Sequence, residues 1–200
     1  MNEKTKLFSN DVLKSILLII VIITLTPSVT FSQSRIGAFY GIKLGMSKYD
    51  VKSKLESQGK SIVKKTTSSS SFDSEFYLIK KAQLGDAMFD ELKLFFSNSK
   101  LVQANFVCSD GGGGSPSAPV YNRIESNAKK YKRIFNLMKA SFMEKYGTPI
   151  MDEENEVIWR SGNQLSIKYE YNSEDSEMWK SINTMVLVVY KLSNVGSANY

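Results

Sequence analysis

Residues 165–171 read LSIKYEY, an alternation in which polar side chains separate Leu165, Ile167, Tyr169 and Tyr171. Successive side chains of a β-strand point to opposite faces of its sheet, so this period of two predicts a strand with one buried face and one exposed face. A strand that is half-buried in this way is typical of an antiparallel sheet. The stretch therefore predicts an antiparallel sheet that is covered on one side.

Strand patterns continue on both sides of this stretch. Ile182–Leu192 is apolar on both faces through much of its length, which predicts a central strand. Phe89–Phe96 and Leu101–Cys108 flank the polar residues 97–100 and therefore predict a hairpin. Three further segments are predicted as strands: Ser61–Thr67, Glu75–Lys81 and Val157–Arg160.

Two predicted helices interrupt the strands. Ser47 is a favourable N-cap and Gly59 a natural stop for a short helix over Lys48–Gln58. A longer helix is predicted over Asn122–Lys145, before Gly147. Its apolar side chains recur every three or four residues and form one stripe: Ile124, Ala128, Tyr131, Phe135, Met138 and Phe142.

The order of these elements predicts an α+β fold. A helix followed by antiparallel strands occurs twice, so we expect two helix-plus-antiparallel-sheet halves, residues 33–109 and 120–200. This plan leaves a tandem repeat open, although no residue-level repeat joins the halves. Residues 110–119 read DGGGGSPSAP, a composition that is typical of a flexible linker between them.

The first 32 residues have the layout of a secretory signal peptide. Three lysines give a basic start, residues 16–25 are apolar except for Thr24, and small residues precede Gln33, where we expect cleavage. An uncleaved membrane anchor is the alternative. A spanning helix needs roughly 20 apolar residues, and this segment reaches that length only by including Lys14 and Pro27. The sequence therefore predicts an exported protein, periplasmic or extracellular, with membrane contact only if the segment is not cleaved.

The composition excludes several kinds of catalysis. The chain contains no histidine, which rules out Ser-His and Cys-His nucleophile pairs and histidine general bases. The commonest ligand for zinc, copper and non-haem iron is missing as well, and we expect no cofactor. Cys108 is the sole cysteine, so no intramolecular disulfide can form, and such a residue is typically a small buried hydrophobe.

Basic residues outnumber acidic ones by 26 to 20, which gives a formal net charge of +6. Four of them cluster on the longer helix, three opposite its apolar stripe and Lys132 on the flank: Lys129, Lys130, Lys132 and Arg133. Such a patch is more often a solvated helix face, but its compactness makes these residues our candidates for partner binding. In an exported protein we expect the partner to be a protein or an anionic envelope component, and not a nucleic acid.

Residues 41–47 read GIKLGMS and are followed by Asp50, Val51 and Leu55. This stretch resembles the opening of the repeats in β-lactamase-inhibitor-protein-like and outer-membrane-assembly (SmpA/OmlA) domains, where a Gly-Met-Ser/Thr cap leads into a short helix and antiparallel strands. Residues 145–149, KYGTP, are similar to the end of the corresponding helix of a second repeat. The layout also resembles small exported proteins of Bacteroides-type bacteria that have no assigned activity. These resemblances imply an envelope location, and binding rather than catalysis.

Two acidic runs are the remaining candidates for chemistry: Asp152, Glu153, Glu154 and Glu156, and Glu174, Asp175 and Glu177. Neither has the spacing of an EF-hand calcium loop, and solvated charges in turns are the simpler interpretation. We therefore expect an exported, non-enzymatic domain that binds a protein or another envelope component. Two alternatives stay open: a carboxylate-dependent hydrolase that acts on an envelope glycan, and a membrane-tethered envelope assembly factor.

Overall fold

The structure, a computed structural model, describes residues 37–69, 72–114, 119–175 and 180–193, and the predicted signal segment lies outside these ranges. The elements in chain order are β1 Ala38–Phe39, β2 Ile42–Lys43, α1 Lys48–Ser57, β3 Val63–Ser69, β4 Phe72–Leu84, β5 Ala87–Ser97, β6 Lys100–Gly114, α2 Val120–Tyr146, β7 Met151–Asp152, β8 Glu156–Ser161, β9 Asn163–Asp175 and β10 Lys180–Leu192.

Eight strands of the described residues form one antiparallel sheet in the order β3-β4-β5-β6-β10-β9-β8-β7. Strand β10 lies in the middle, between β6 and β9, as its doubly apolar sequence predicted. The mixed α+β composition is confirmed. The expectation of a separate sheet in each half is corrected, because β6 and β10 pair and join the strands of both halves into a single sheet.

One row of side chains shows why the sheet has a buried face. The members of this row pair across neighbouring strands, and each is at most 1% exposed: Ile79, Leu92, Phe106, Val188, Ile167 and Val157. Both helices pack on this face, because Val51 and Leu55 of α1 and most of the apolar stripe of α2 belong to the same core cluster. Each large apolar side chain that is fully buried stabilises the fold by roughly 1.5–3 kcal/mol.

Local sequence signals explain where α1 begins and where α2 ends. The Ser47 hydroxyl oxygen accepts a hydrogen bond from the Asp50 N–H at 3.1 Å and caps α1. Gly147 follows α2 with a φ of 78° and donates its N–H to the Met143 carbonyl oxygen at 2.9 Å. The indole Nε1 of Trp159 donates to the Gly147 carbonyl oxygen at 2.9 Å, which ties β8 to the end of the helix.

The structure corrects the predicted linker, because the glycine tract is part of the sheet. Asp110–Gly114 continues β6 and pairs with residues 180–184 of β10. Backbone pairing needs no side chain, and glycine allows another element to come close to the strand. A Cβ atom on Gly111 would overlap Oδ1 of Asn183, its partner on β10, whereas one on Gly112 would make ordinary contacts of 3.5 Å with Ile124 and Val120 in α2. Residues 115–118 of the predicted linker lie outside the described residues.

Candidate functional site

The basic patch that we predicted from the sequence divides into two parts. Three of its residues are exposed on the outer side of α2: Lys129, Lys130 and Arg133. Lys132 is half-buried, and its Nζ donates to Asn155 Oδ1 at 2.8 Å and to the Glu154 carbonyl oxygen at 3.2 Å. The structure thus brings three candidates together on the surface, whereas the fourth holds the turn between β7 and β8 against the helix.

The exposed part of the patch carries uncompensated positive charge. Among the described residues, no ion pair joins any of its three side chains to a carboxylate. Two other basic residues of α2 are compensated, since Arg123 lies 3.0 Å from Asp110 and Lys139 is bound to Asp152. Like charges on one helix face repel each other, and the positive potential that they create favours an anionic partner.

A groove runs between α2 and β9 at the side of this patch. Its volume is about 350 Å³, and its lining combines charged, aromatic and small side chains: Glu125, Ala128, Lys129, Lys132, Tyr169 and Tyr171. Two of the four predicted residues, Lys129 and Lys132, therefore line it. Small-molecule sites begin at roughly 300 Å³, so the groove has the size of a small ligand or of one unit of a polymer.

Two tyrosines of β9 give the groove its aromatic surface. The side chain of Tyr171 is 43% exposed, whereas Tyr169 is half-buried. The Tyr169 hydroxyl lies 3.4 Å from the Ala128 carbonyl oxygen, and burial raises the pKa of this phenol, so it stays neutral at physiological pH. Lys132 Nζ lies 4.9 Å from the centre of the Tyr169 ring, a cation–π distance. The groove therefore joins neutral aromatic surface to a fixed cation.

The alternation of β9 predicted that all four of its odd-numbered side chains are buried. Leu165 and Ile167 are 0% exposed, but the prediction is wrong for Tyr171. The small side chain of Ala128 leaves the space beside Tyr169 and Tyr171 unfilled. A period of two shows which face a side chain lies on, but it does not show how far a helix covers that face. No sequence signal therefore indicated the groove.

A second cavity, of about 430 Å³, lies where β6, β10 and β9 run side by side. Its lining is mostly polar: Ser109, Asp110, Gly111, Glu170, Asn172, Asn183, Thr184 and Met185. The Glu170 carboxylate is paired with Lys168 Nζ at 2.7 Å. None of the four predicted partner-binding residues lines this cavity.

The acidic run after α2 contains one residue that holds the fold together and two that are exposed to solvent. Asp152 is bound to Lys139 of α2, and Glu153 and Glu154 are exposed in the turn that follows β7. Glu177, from the second acidic run, lies outside the described residues. Within the described ranges, no group of three or more histidine, cysteine, aspartate or glutamate residues could hold a metal ion.

Cys108 has the properties of a core residue. It is 0% exposed, and its Sγ lies 3.6 Å from the Met88 carbonyl oxygen. Burial raises the pKa of the thiol to about 11. Since the thiolate is the nucleophilic form, this cysteine is unreactive at physiological pH.

No protein-family model matches the chain, and neither a curated protein nor a solved structure matches it. In the part of the chain that the structure describes, no helix is both long enough and apolar enough to cross a membrane. Function is therefore inferred from the side chains of this chain alone.

Proposed function

We propose that the protein is an exported, non-enzymatic domain that binds an anionic component of the cell envelope through the outer face of α2. One observation carries this proposal: Lys129, Lys130 and Arg133 are exposed within about one helical turn and lack ion-pair partners among the described residues. The envelope location is supported by the signal-like first 32 residues and by the resemblance of residues 41–47 to envelope-domain repeats.

A tandem repeat of one helix-plus-four-strand unit is part of the proposal. Helix α1 precedes β3 to β6, and α2 precedes β7 to β10. Across the sheet the strands run from β3 to β6 and then backwards from β10 to β7. This order is expected when two copies of one unit pair through their last strands, and it supports the resemblance to repeat domains.

The non-enzymatic part of the proposal rests on carboxylate chemistry. A hydrolase without histidine would have to rely on Asp, Glu, Lys, Ser or Tyr, and a carboxyl group that acts as general acid works best with a raised pKa. Hydrogen bonds from Lys48 and Lys80 lower the pKa values of Glu75 and Glu91 instead. Turnover of an envelope glycan that one carboxylate substitution abolishes would replace this proposal by the hydrolase alternative.

The test measures binding of the exported protein to immobilised polygalacturonate and to vesicles that contain phosphatidylglycerol. We expect binding to at least one of these polyanions, and we expect it to weaken as salt rises because exposed charges are screened beyond about 8–10 Å. The triple variant Lys129→Glu, Lys130→Glu and Arg133→Glu should lose this binding and keep the unfolding temperature of the wild type.

The matched control changes the net charge by the same amount elsewhere on the surface. Lys64, Lys65 and Lys100 are exposed on β3 and at the start of β6. Their triple replacement by Glu should leave most of the binding intact. An equal loss in both triple variants would show that net charge, and not the face of α2, governs binding, whereas no loss in either would remove α2 from the site.

A further inference from the structure

We propose that the groove between α2 and β9 binds one acidic sugar unit, a pyranose ring that carries a carboxylate or a phosphate. This inference rests on the proposed function, since it names the chemical class of ligand that the same region recognises. The exposed face of α2 would attract any polyanion. The groove would select, among polyanions, those that are built from sugar rings.

Lys132 supplies a cation whose position is already fixed. Its ammonium donates to Asn155 Oδ1 at 2.8 Å and to the Glu154 carbonyl oxygen at 3.2 Å, and it lies 4.9 Å from the centre of the Tyr169 ring. A lysine ammonium has three hydrogens, so one hydrogen remains for a ligand oxygen. Because the side chain is held before the ligand arrives, little rotamer freedom is lost when an anion binds.

The aromatic wall suits a sugar ring. Tyr171 presents a 43% exposed side chain to the groove, next to the half-buried ring of Tyr169. The C–H face of a pyranose packs against such a ring, and the phenol hydroxyl can exchange hydrogen bonds with the sugar hydroxyls. Ala128 contributes little volume, and the resulting space of about 350 Å³ admits one ring.

The rim of the groove continues into the exposed basic face. Lys129 lines the groove and also belongs to the face that it forms with Lys130 and Arg133. Glu125, which lies 3.8 Å from Lys180 Nζ, adds a carboxylate oxygen that can accept a hydrogen bond from a sugar hydroxyl. One unit of an acidic glycan can therefore occupy the groove while the following units meet the face of α2.

The test titrates the protein with four probes: methyl galacturonide, glucose 6-phosphate, neutral methyl galactoside and long-chain polyphosphate. Amide NMR shifts locate the binding, and the two acidic sugars distinguish a carboxylate from a phosphate. We expect at least one acidic sugar to shift the signals of residues 128–132 and 169–171. The neutral sugar should bind at least about tenfold more weakly, since it lacks the charge-assisted bond to Lys132.

Variants assign the binding to the groove. Tyr171→Ser should weaken acidic-sugar binding by about fivefold through the loss of the ring contact, and it should leave polyphosphate binding unchanged. Lys132→Met should abolish acidic-sugar binding. Its matched control, Lys65→Met, removes the same charge from β3, away from both the groove and the face of α2, and should preserve that binding. Thermal unfolding checks each variant, and Tyr171→Ser decides the outcome if Lys132→Met does not fold.

Three results would overturn the inference in distinguishable ways. If polyphosphate binds and neither acidic sugar does, the face of α2 keeps its proposed function and the groove loses its ligand. If neutral galactoside binds as tightly as galacturonide, the acidic class is wrong. If none of the anionic probes binds, the inference fails, and the proposed function fails with it if polygalacturonate and phosphatidylglycerol vesicles do not bind either.

Discussion

Ile167 and Lys168 are neighbours in β9, but they lie on opposite faces of the sheet. Ile167 is 0% exposed, whereas Lys168 Nζ pairs with Glu170 at 2.7 Å on the face without helices. We expect Ile167→Asp to lower the free energy of unfolding by about 4 kcal/mol or more, because the core offers the carboxylate no partner. Lys168→Gln, the control, should cost about 0–1 kcal/mol. Urea unfolding measures both, and equal losses would mean that the faces of β9 are assigned wrongly.

Cys108 should make the stability of the protein depend on alkaline pH. Burial raises its pKa from an ordinary value of 9.0 to about 11, so the folded chain keeps a proton that the unfolded chain loses. This contribution is complete below pH 9 and is lost as pH rises towards 11. Between about pH 8 and pH 10, the wild type should lose about 1 kcal/mol more than the Cys108→Ala variant.

Denaturant unfolding at several pH values tests this expectation for Cys108. The comparison uses the slope of stability against pH, because Cys108→Ala also changes the packing at every pH. Parallel slopes for the two proteins would contradict the assignment of a protonated thiol in the core.

The sequence predicted well those elements whose bounds depend on nearby residues, such as a helix cap or an apolar stripe. The Ser47 cap and the apolar stripe indicated both helices, and α1 and α2 lie within a few residues of the predicted bounds. The glycine tract is different, because residues 111–114 have no side chains that could show a period. Their strand conformation depends on pairing with β10, which lies about 70 residues further along the chain, and no local signal in the tract indicates that partner.

Replacement of glycine by alanine should have opposite effects on stability at two positions, Gly112 and Gly147. Gly112 lies in β6 without a positive φ, and its new Cβ would make ordinary contacts of 3.5 Å with α2. We expect Gly112→Ala to stabilise the protein by about 0.5 kcal/mol, because it restricts the unfolded chain. Gly147, at a φ of 78° and a ψ of −156°, lies where other residues are strained, so Gly147→Ala should cost about 1–3 kcal/mol.

Thermal or urea unfolding of the two alanine variants measures whether each one is more or less stable than the wild type. Destabilisation by Gly112→Ala that equals that of Gly147→Ala would show that Gly112 has a positive φ or no room for a Cβ atom, and it would contradict the extended conformation in which Gly112 pairs with β10.

The arrangement of the whole sheet could not be read from the sequence, although its strands could. The pattern of each strand shows how its apolar residues alternate and whether one or both of its faces are buried. Which strand pairs with which, however, depends on packing between segments that lie far apart in the chain. The same holds for the groove: two of its lysines belonged to a visible cluster, whereas Tyr171 looked like a core residue. Only the position of Ala128 above β9 reveals that this tyrosine is exposed.

The pairing of β6 with β10 predicts that the two halves do not fold separately. The described residues from 37 to 193 belong to one compact unit. The Tyr190 ring of β10 lies 5.4 Å from Phe39 and 6.2 Å from Phe106 of the first half, measured between ring centres. A fragment of roughly 80 residues that loses this shared core would bury too little surface. We therefore expect fragments 33–116 and 117–200 to be unfolded alone and to regain near-ultraviolet circular dichroism when they are mixed.

The fragment experiment has a direct control in the central strand. Val188 of β10 is 0% exposed and pairs with Phe106 of β6, so a fragment 117–200 that carries Val188→Asp should not restore the signal. Leaving β6 and β10 unpaired also creates two exposed sheet edges, and we expect the separate fragments to aggregate more readily than their mixture. If either fragment alone unfolds cooperatively, the two halves are independent domains and the single sheet is not what stabilises the protein.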